Sequence, residues 1–116
     1  MTLQEIVEAL SLTVMAAPDK LERSVTGGYA SDLFSSVMAR AQAGNVWVTV
    51  QSHANVVAVA SLMDLAAVII TEGNIPDPDA LSKADEVGIP ILTTPLTTFT
   101  VVGRLAALGV EGEAKR

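Results

Sequence analysis

His53 is the only histidine of the chain. It stands in a short polar run, Gln51-Ser52-His53-Ala54-Asn55, directly after the apolar stretch Val46–Val50. Imidazole can donate, accept or carry charge near neutral pH, so His53 can contact a phosphate or carboxylate, or simply cap the loop. Gln51, Ser52 and Asn55 are short enough to recognise a ligand through hydrogen bonds, and Asn55 also suits a helix N-cap. A second polar turn, Thr71-Glu72-Gly73, combines a hydroxyl, a carboxylate and a flexible backbone, with Pro76 as a rigid exit. Thr94, among several threonines around Pro95, offers a further hydroxyl. Gly27-Gly28, ahead of Tyr29-Ala30-Ser31, could cradle an anion on backbone N–H groups, but it lacks the spacing and Lys-Ser/Thr of a phosphate loop. A turn supplying positive φ is the plainer reading of that pair.

Other chemistries are excluded by composition. The chain has no cysteine, so disulfides, thiolates and cysteine-bound metals are ruled out. A lone histidine cannot make the usual zinc set, and no Ser-His-Asp spacing can be assigned. With neither a nucleophile–base pair nor a phosphate loop, no enzyme activity and no cofactor are expected. Seven basic against thirteen acidic residues give a net charge of −6. The basic residues are scattered and the one close pair is Lys115-Arg116, so no nucleic-acid partner is expected. No apolar run is long enough for a membrane span and no signal peptide opens the chain, which points to a cytoplasmic protein without a membrane partner.

The elements that must position these residues follow from periodicity and caps. Thr2 and Glu5 form a capping box for a helix to Leu10, with Leu3, Ile6, Val7 and Leu10 on one face. Leu12–Ala16 reads as a strand that ends before the turn pair Pro18-Asp19. Leu21 and Val25 alternate with polar neighbours and suggest a short strand, with Gly27-Gly28 as the turn after it. Ser31 is expected to cap a helix to Ala43, with Asp32 near its positive end and Gly44 past its finish.

Val46–Val50 and the apolar run Ala67–Thr71 read as strands, the second buried on both faces. Between them lies a helix over 55–63. Asp77 caps a helix starting at Pro78 and ended by Gly88, and Ile91–Thr93 is a last strand. Thr97 or Thr98 caps a helix to Gly109 with Val101, Val102, Leu105 and Leu108 inward. Mid-helix Gly103 suggests close backbone packing, Arg23 and Arg104 read as surface ion-pair partners, and residues 111–116 form a solvated tail.

This alternation predicts one α/β domain over residues 1–110, three-layer-like, with a mostly parallel sheet of four to five strands flanked by helices. The loops at Gln51–Asn55 and Thr71–Gly73 leave the carboxyl ends of neighbouring parallel strands, where open α/β sheets bind ligands. Helix 55–63 is apolar nearly all round, so it must be covered on more than one side. A second copy would cover it in a homodimer; the alternative is enclosure by helices 31–43 and 97–109 of the same chain.

From about Thr2 to Val110 the chain resembles the DRTGG domain family. The resemblance rests on Thr26-Gly27-Gly28-Tyr29 leading to Ser31-Asp32-Leu33, then Val46-Trp47-Val48-Thr49 and the Asn55–Met63 helix. Ala67-Val68-Ile69-Ile70-Thr71 and Gly88-Ile89-Pro90-Ile91-Leu92 complete the order. Thr71 and Gly73 correspond to part of the family's Thr-Gly-Gly, with Glu72 in place of the first glycine. The Asp-Arg pair belongs near Gln51–Asn55, where this chain has neither residue. A ligand that relied on that arginine would be handled differently here, and Glu72 disfavours an anion.

The family is found beside CBS domains in regulated pyrophosphatases and in phosphotransacetylase-type proteins, and is similar to the amino-terminal domain of HPr kinase/phosphorylase. The resemblance therefore implies that fold and a non-catalytic regulatory or assembly module, commonly dimeric. The expected site is Gln51, Ser52, His53, Asn55, Thr71, Glu72, Gly73 and Thr94, with Gly27 and Gly28, for a small, nucleotide-like molecule. The alternative is an adaptor that docks a protein partner through helix 55–63 or segment 20–30.

Overall fold

The computed structural model describes residues 1–113. Five strands, β1 (Thr13–Ala16), β2 (Gly27–Ala30), β3 (Asn45–Thr49), β4 (Ala67–Ile70) and β5 (Ile91–Thr93), form one sheet in the order β1-β5-β4-β3-β2. Strands β2 to β5 are mutually parallel, and β1 closes one edge antiparallel to β5. The helices are α1 (Leu3–Leu10), α2 (Phe34–Arg40), α3 (Asn55–Leu62), α4 (Pro78–Val87) and α5 (Thr98–Ala107), with a short 3-10 turn at Pro18–Lys20.

Side-chain alternation along the strands divides the core between the two faces of the sheet. Trp47, Val68, Ile70 and Ile91 face one way and pack with Val37 of α2, Val56, Val57 and Ala60 of α3, and Ala80 and Ala84 of α4. Val46, Val48, Ala67, Ile69 and Leu92 face the other way, against Leu3, Ile6 and Leu10 of α1 and Val101 and Leu105 of α5. The result is the expected three-layer α/β domain with both sheet faces covered.

Local signals account for most helix ends. The Thr2–Glu5 capping box forms, with the Thr2 amide donating to Glu5 Oε1 at 2.9 Å. Those bonds from the Thr2 backbone and side chain hold the Glu5 carboxyl below its usual range. Thr97 Oγ1 accepts from the Thr100 amide to start α5, and Gly88 ends α4 with φ of +77°. Asp77 holds the N-cap position of α4 without a side-chain bond to the helix.

Segment 20–30 departs from expectation. Residues 21–25 lie antiparallel to the chain start, through Leu3 N–H to Arg23 O, Gln4 N–H to Leu21 O and Val25 N–H to Met1 O. Only Ser24 makes a strand-like bridge there, to Thr2. The strand is Gly27–Ala30 itself, so Gly27-Gly28 is not a turn. Glycine is used here because backbone lies against it: a Cβ on Gly27 would meet Glu111 O at 2.7 Å, and Gly28 N–H donates to that same carbonyl at 3.0 Å. Met1, Val25, Gly27, Leu108 and Glu111 share a small cleft at this pole of the sheet.

The helix after β2 is also shorter than predicted. It begins at Phe34, with Leu33 at its N-cap and no side-chain cap, and ends at Arg40. Ser31 Oγ accepts from Leu33 N–H instead of capping the helix directly. Asp32 does not serve the helix either; it is drawn to β3, as described below.

Helix α3 is covered within the chain by α2 and α4, whereas α5 lies on the opposite face. Of the expected enclosing pair, the helix over 31–43 does cover α3, as α2, but the second is α4 and not the helix over 97–109. Of its apolar side chains, Ala58 and Leu62 are left outside, Leu62 74% exposed. Two readings of α5 are corrected as well. Val102 is exposed, and Gly103 has nothing within 4 Å of a built Cβ, so no close packing explains it. Of residues 111–116, Glu111 to Glu113 are exposed; 114–116, with Lys115-Arg116, lie outside the described residues.

Arg23 ties segment 20–26 to the turn after α3. Its Nη1 bonds Asp64 Oδ1 and its Nη2 bonds Asp64 O, both at 2.9 Å. The bond and charge of Arg23 hold the Asp64 carboxyl below the ordinary aspartate range. Because the folded value is depressed, the pair stabilises the fold above the ordinary aspartate pKa and ceases to do so as pH falls through the folded value. In Arg23→Ala, an NMR titration should show the Asp64 midpoint rising to the ordinary range; an unmoved midpoint would contradict this assignment.

Candidate functional site

The parallel strands deliver four loops to one edge of the sheet: 31–33 after β2, 50–54 after β3, 71–77 after β4 and 94–97 after β5. This is the carboxyl edge, and the chain supplies the hydrogen bonds that lock the loops together. Asp32 Oδ1 accepts from Thr49 Oγ1 at 2.8 Å and from Val50 N–H at 2.9 Å, clasping the end of β3. Gln51 Nε2 donates to Asp32 O at 3.1 Å. Asn74 Nδ2 donates to Val50 O and Asp77 N–H to Ser52 O, each at 3.0 Å, so the second and third loops are one unit.

His53 is exposed, and its Nδ1 accepts from Asn55 N–H at 3.1 Å. The histidine therefore caps the first turn of α3, a place expected of Asn55; Asn55 is instead the first helical residue, exposed, with Ala54 at the N-cap position. With Nδ1 accepting, the proton of the neutral ring sits on Nε2, free to donate outward.

The second polar turn is occupied mainly with structure. Thr71 is fully buried, its hydroxyl 2.6 Å from Thr98 Oγ1 and 3.4 Å from Thr49 O. Glu72 takes a left-handed backbone, φ +63°, and its Oε2 accepts from Thr98 N–H at 3.2 Å at the start of α5. Gly73, φ +73°, donates its N–H to Thr94 O, and buried Thr94 accepts from Leu96 N–H through Oγ1.

The expected site residues thus fall into three places. Gln51, His53 and Asn55 line a groove of about 490 Å³ together with Asp32, Leu33, Phe34 and Ser35. Ser52 lies in the same loop, and Thr71, Glu72, Gly73 and Thr94 brace the edge beside it. Gly27 and Gly28 stand at the opposite end of the strands, opposite Asn45 and Val46, and do not join the groove. A second cavity, about 730 Å³, runs along β2 and α5 between Tyr29, Ala30, Val48, Val102, Leu105 and Val110.

Asp32, Leu33, Phe34 and Ser35 are the groove residues that sequence reasoning left out of the site. The signal was the parallel strand at 27–30: once β2 pairs with β3, the residues following it must emerge beside Gln51 and His53. Phe34 is half-buried and packs edge-on against Trp47, ring centroids 5.7 Å apart at 81°. Among the described residues no cluster of His, Asp and Glu could hold a metal ion, and no helix is long and apolar enough to cross a membrane.

Comparison with known proteins places this geometry. The family model of the DRTGG domain matches residues 5–108. Among solved structures, the chain is similar to the CBS and DRTGG domains of the regulatory region of Clostridium perfringens pyrophosphatase complexed with its activator, diadenosine tetraphosphate. That likeness has a TM-score of 0.69 at 17% identity and covers 90% of this chain but 45% of the other. At that identity it speaks for the fold, and the chain spans less than half of the neighbour's length. The search of curated proteins found no match. Taken with the five-stranded sheet and its braced carboxyl edge, a match over nearly the whole length means that the chain belongs to the DRTGG domain family.

Proposed function

We propose that this domain is a non-catalytic regulatory module that binds a small, nucleoside- or nucleotide-like ligand in the groove beside β3 and self-associates. The observation that carries the reading is the groove itself. It lies at the carboxyl end of parallel strands, where α/β sheets receive ligands, and joins one aromatic ring to a few polar groups. The regulatory region of the pyrophosphatase neighbour, which is complexed with a dinucleotide activator, supports a regulatory role for the same fold. Gln51, His53 and Asn55 contact the ligand; Ser52, Thr71, Glu72, Gly73 and Thr94 hold the loops in place.

Exposed apolar side chains support self-association: Leu62 on α3, and Phe99, 89% exposed, at the start of α5. A protein-interaction adaptor is the second reading, and the same side chains favour it, although segment 20–30 is largely tied to the chain start.

A thermal-shift screen against nucleosides, nucleotides and common metabolites tests the ligand, with light scattering of the same sample for the oligomer. The expected result is stabilisation by a millimolar ligand, diminished in His53→Ala, in a particle of dimeric mass. No stabilisation by any ligand, or a monomeric mass at micromolar concentration, overturns the corresponding half of the reading.

A further inference from the structure

The charges around the carboxyl edge restrict what the groove can take. No lysine or arginine occurs in the four strand-end loops, at 31–33, 50–54, 71–77 and 94–97, or in the first turns of the helices that follow them. Three carboxylates do occur in those loops: Asp32, Glu72 and Asp77. Helix amino termini attract anions and four converge on this edge. The chain's own side chains bond those of α3 and α5, a carboxylate stands at that of α4, and that of α2 has no side-chain cap. His53 Nδ1 takes the Asn55 amide at α3, Asp77 stands at the N-cap of α4, and Glu72 Oε2 takes the Thr98 amide at α5. Glu72 does so from a left-handed backbone that side chains ordinarily avoid.

The groove's free hydrogen-bonding capacity has a matching character. Asp32 Oδ1 receives two bonds, whereas Oδ2 has no partner among the described residues. It is an acceptor suited to an N–H donor. His53 Nε2–H and the side-chain carboxamide of Asn55 add a donor and a mixed donor–acceptor pair. Phe34, braced by Trp47, contributes a fixed ring on which a flat heterocycle can stack.

We infer that the groove selects an uncharged or cationic planar heterocycle bearing an amine, such as a nucleoside, and rejects its phosphorylated form. This inference rests on the ligand-binding reading proposed above and narrows its ligand class. Asp32 accepts from the amine, His53 donates to a ring nitrogen or carbonyl, and Phe34 stacks on the base. A phosphate brought to the groove meets the Asp32 carboxylate, with Glu72 and Asp77 in the neighbouring loops, and no lysine or arginine in those loops offsets them.

The test is calorimetric titration of the full chain with adenosine, guanosine and cytidine and with their 5′-monophosphates, at low and at moderate ionic strength. At least one nucleoside binds, and its monophosphate binds about tenfold or more weakly at low salt, a gap that narrows as salt screens the repulsion. Asp32→Asn, which keeps the side chain's shape, weakens the nucleoside about tenfold while circular dichroism confirms the fold. Glu72→Gln narrows the gap between nucleoside and monophosphate. Equal or tighter binding of the monophosphate overturns the ligand class but leaves a ligand-binding module standing. A gap that salt does not change overturns the electrostatic origin, and no binding by any of the six at millimolar concentration overturns the nucleoside class, while the wider thermal-shift screen decides the ligand-binding reading.

Discussion

Trp47→Ala should destabilise the domain by about 3–5 kcal/mol, the range for removing a large aromatic from a packed core. Trp47 is fully buried in the central layer of the sheet, and its indole Nε1–H donates to Ser31 O at 2.8 Å. It also supports the ring of Phe34, so the substitution loosens the β2–α2 connection as well as leaving a cavity. Against the roughly 5–15 kcal/mol that holds a small domain together, this is a large fraction. Urea denaturation followed by circular dichroism measures it. Trp47→Phe keeps most of the volume and loses the N–H bond, so a smaller loss of about 1–2 kcal/mol is expected. If alanine were tolerated within about 1 kcal/mol, the central role given to this ring would be wrong.

The second large effect belongs to Asp32. Its carboxylate joins the loop after β2 to the end of β3, through a buried threonine hydroxyl and a backbone amide. Asp32→Ala should lower stability by about 1–3 kcal/mol, since bonds to a charged acceptor are stronger than neutral ones and its exposure moderates the loss. Thr49→Val provides the partner for a double-mutant cycle, in which coupling between the two positions of about 0.5 kcal/mol or more is expected. Additive losses would show that the two side chains act independently. A positioning role also predicts that Asp32→Ala mobilises Gln51, whose side chain is fastened to Asp32 O.

What could be read from the sequence was what short-range chemistry decides. The Thr2–Glu5 box, the Pro78 start and Gly88 end of α4, the Thr97 cap and the apolar run Ala67–Ile70 each depend on neighbours within a few residues. Gly27-Gly28 does not. Two glycines have low strand propensity, and they become a strand through pairing with β3 and through the close backbone of Glu111, far along the chain. Asp32 was similarly opaque. Beside a helix start a carboxylate reads as a cap, and only the parallel register brings it to Thr49 and Val50. The groups expected in the site were partly legible: Gln51, His53 and Asn55 share the groove, but nothing local revealed that Glu72 would reach residue 98. Gly103 shows the converse, a residue whose expected reason is absent from the fold.

The first and last described portions of the chain meet in the cleft shared by Met1, Val25, Gly27, Leu108 and Glu111, at the pole away from His53. The two ends of the described chain therefore share one side of the domain and leave the carboxyl edge of the sheet clear of both.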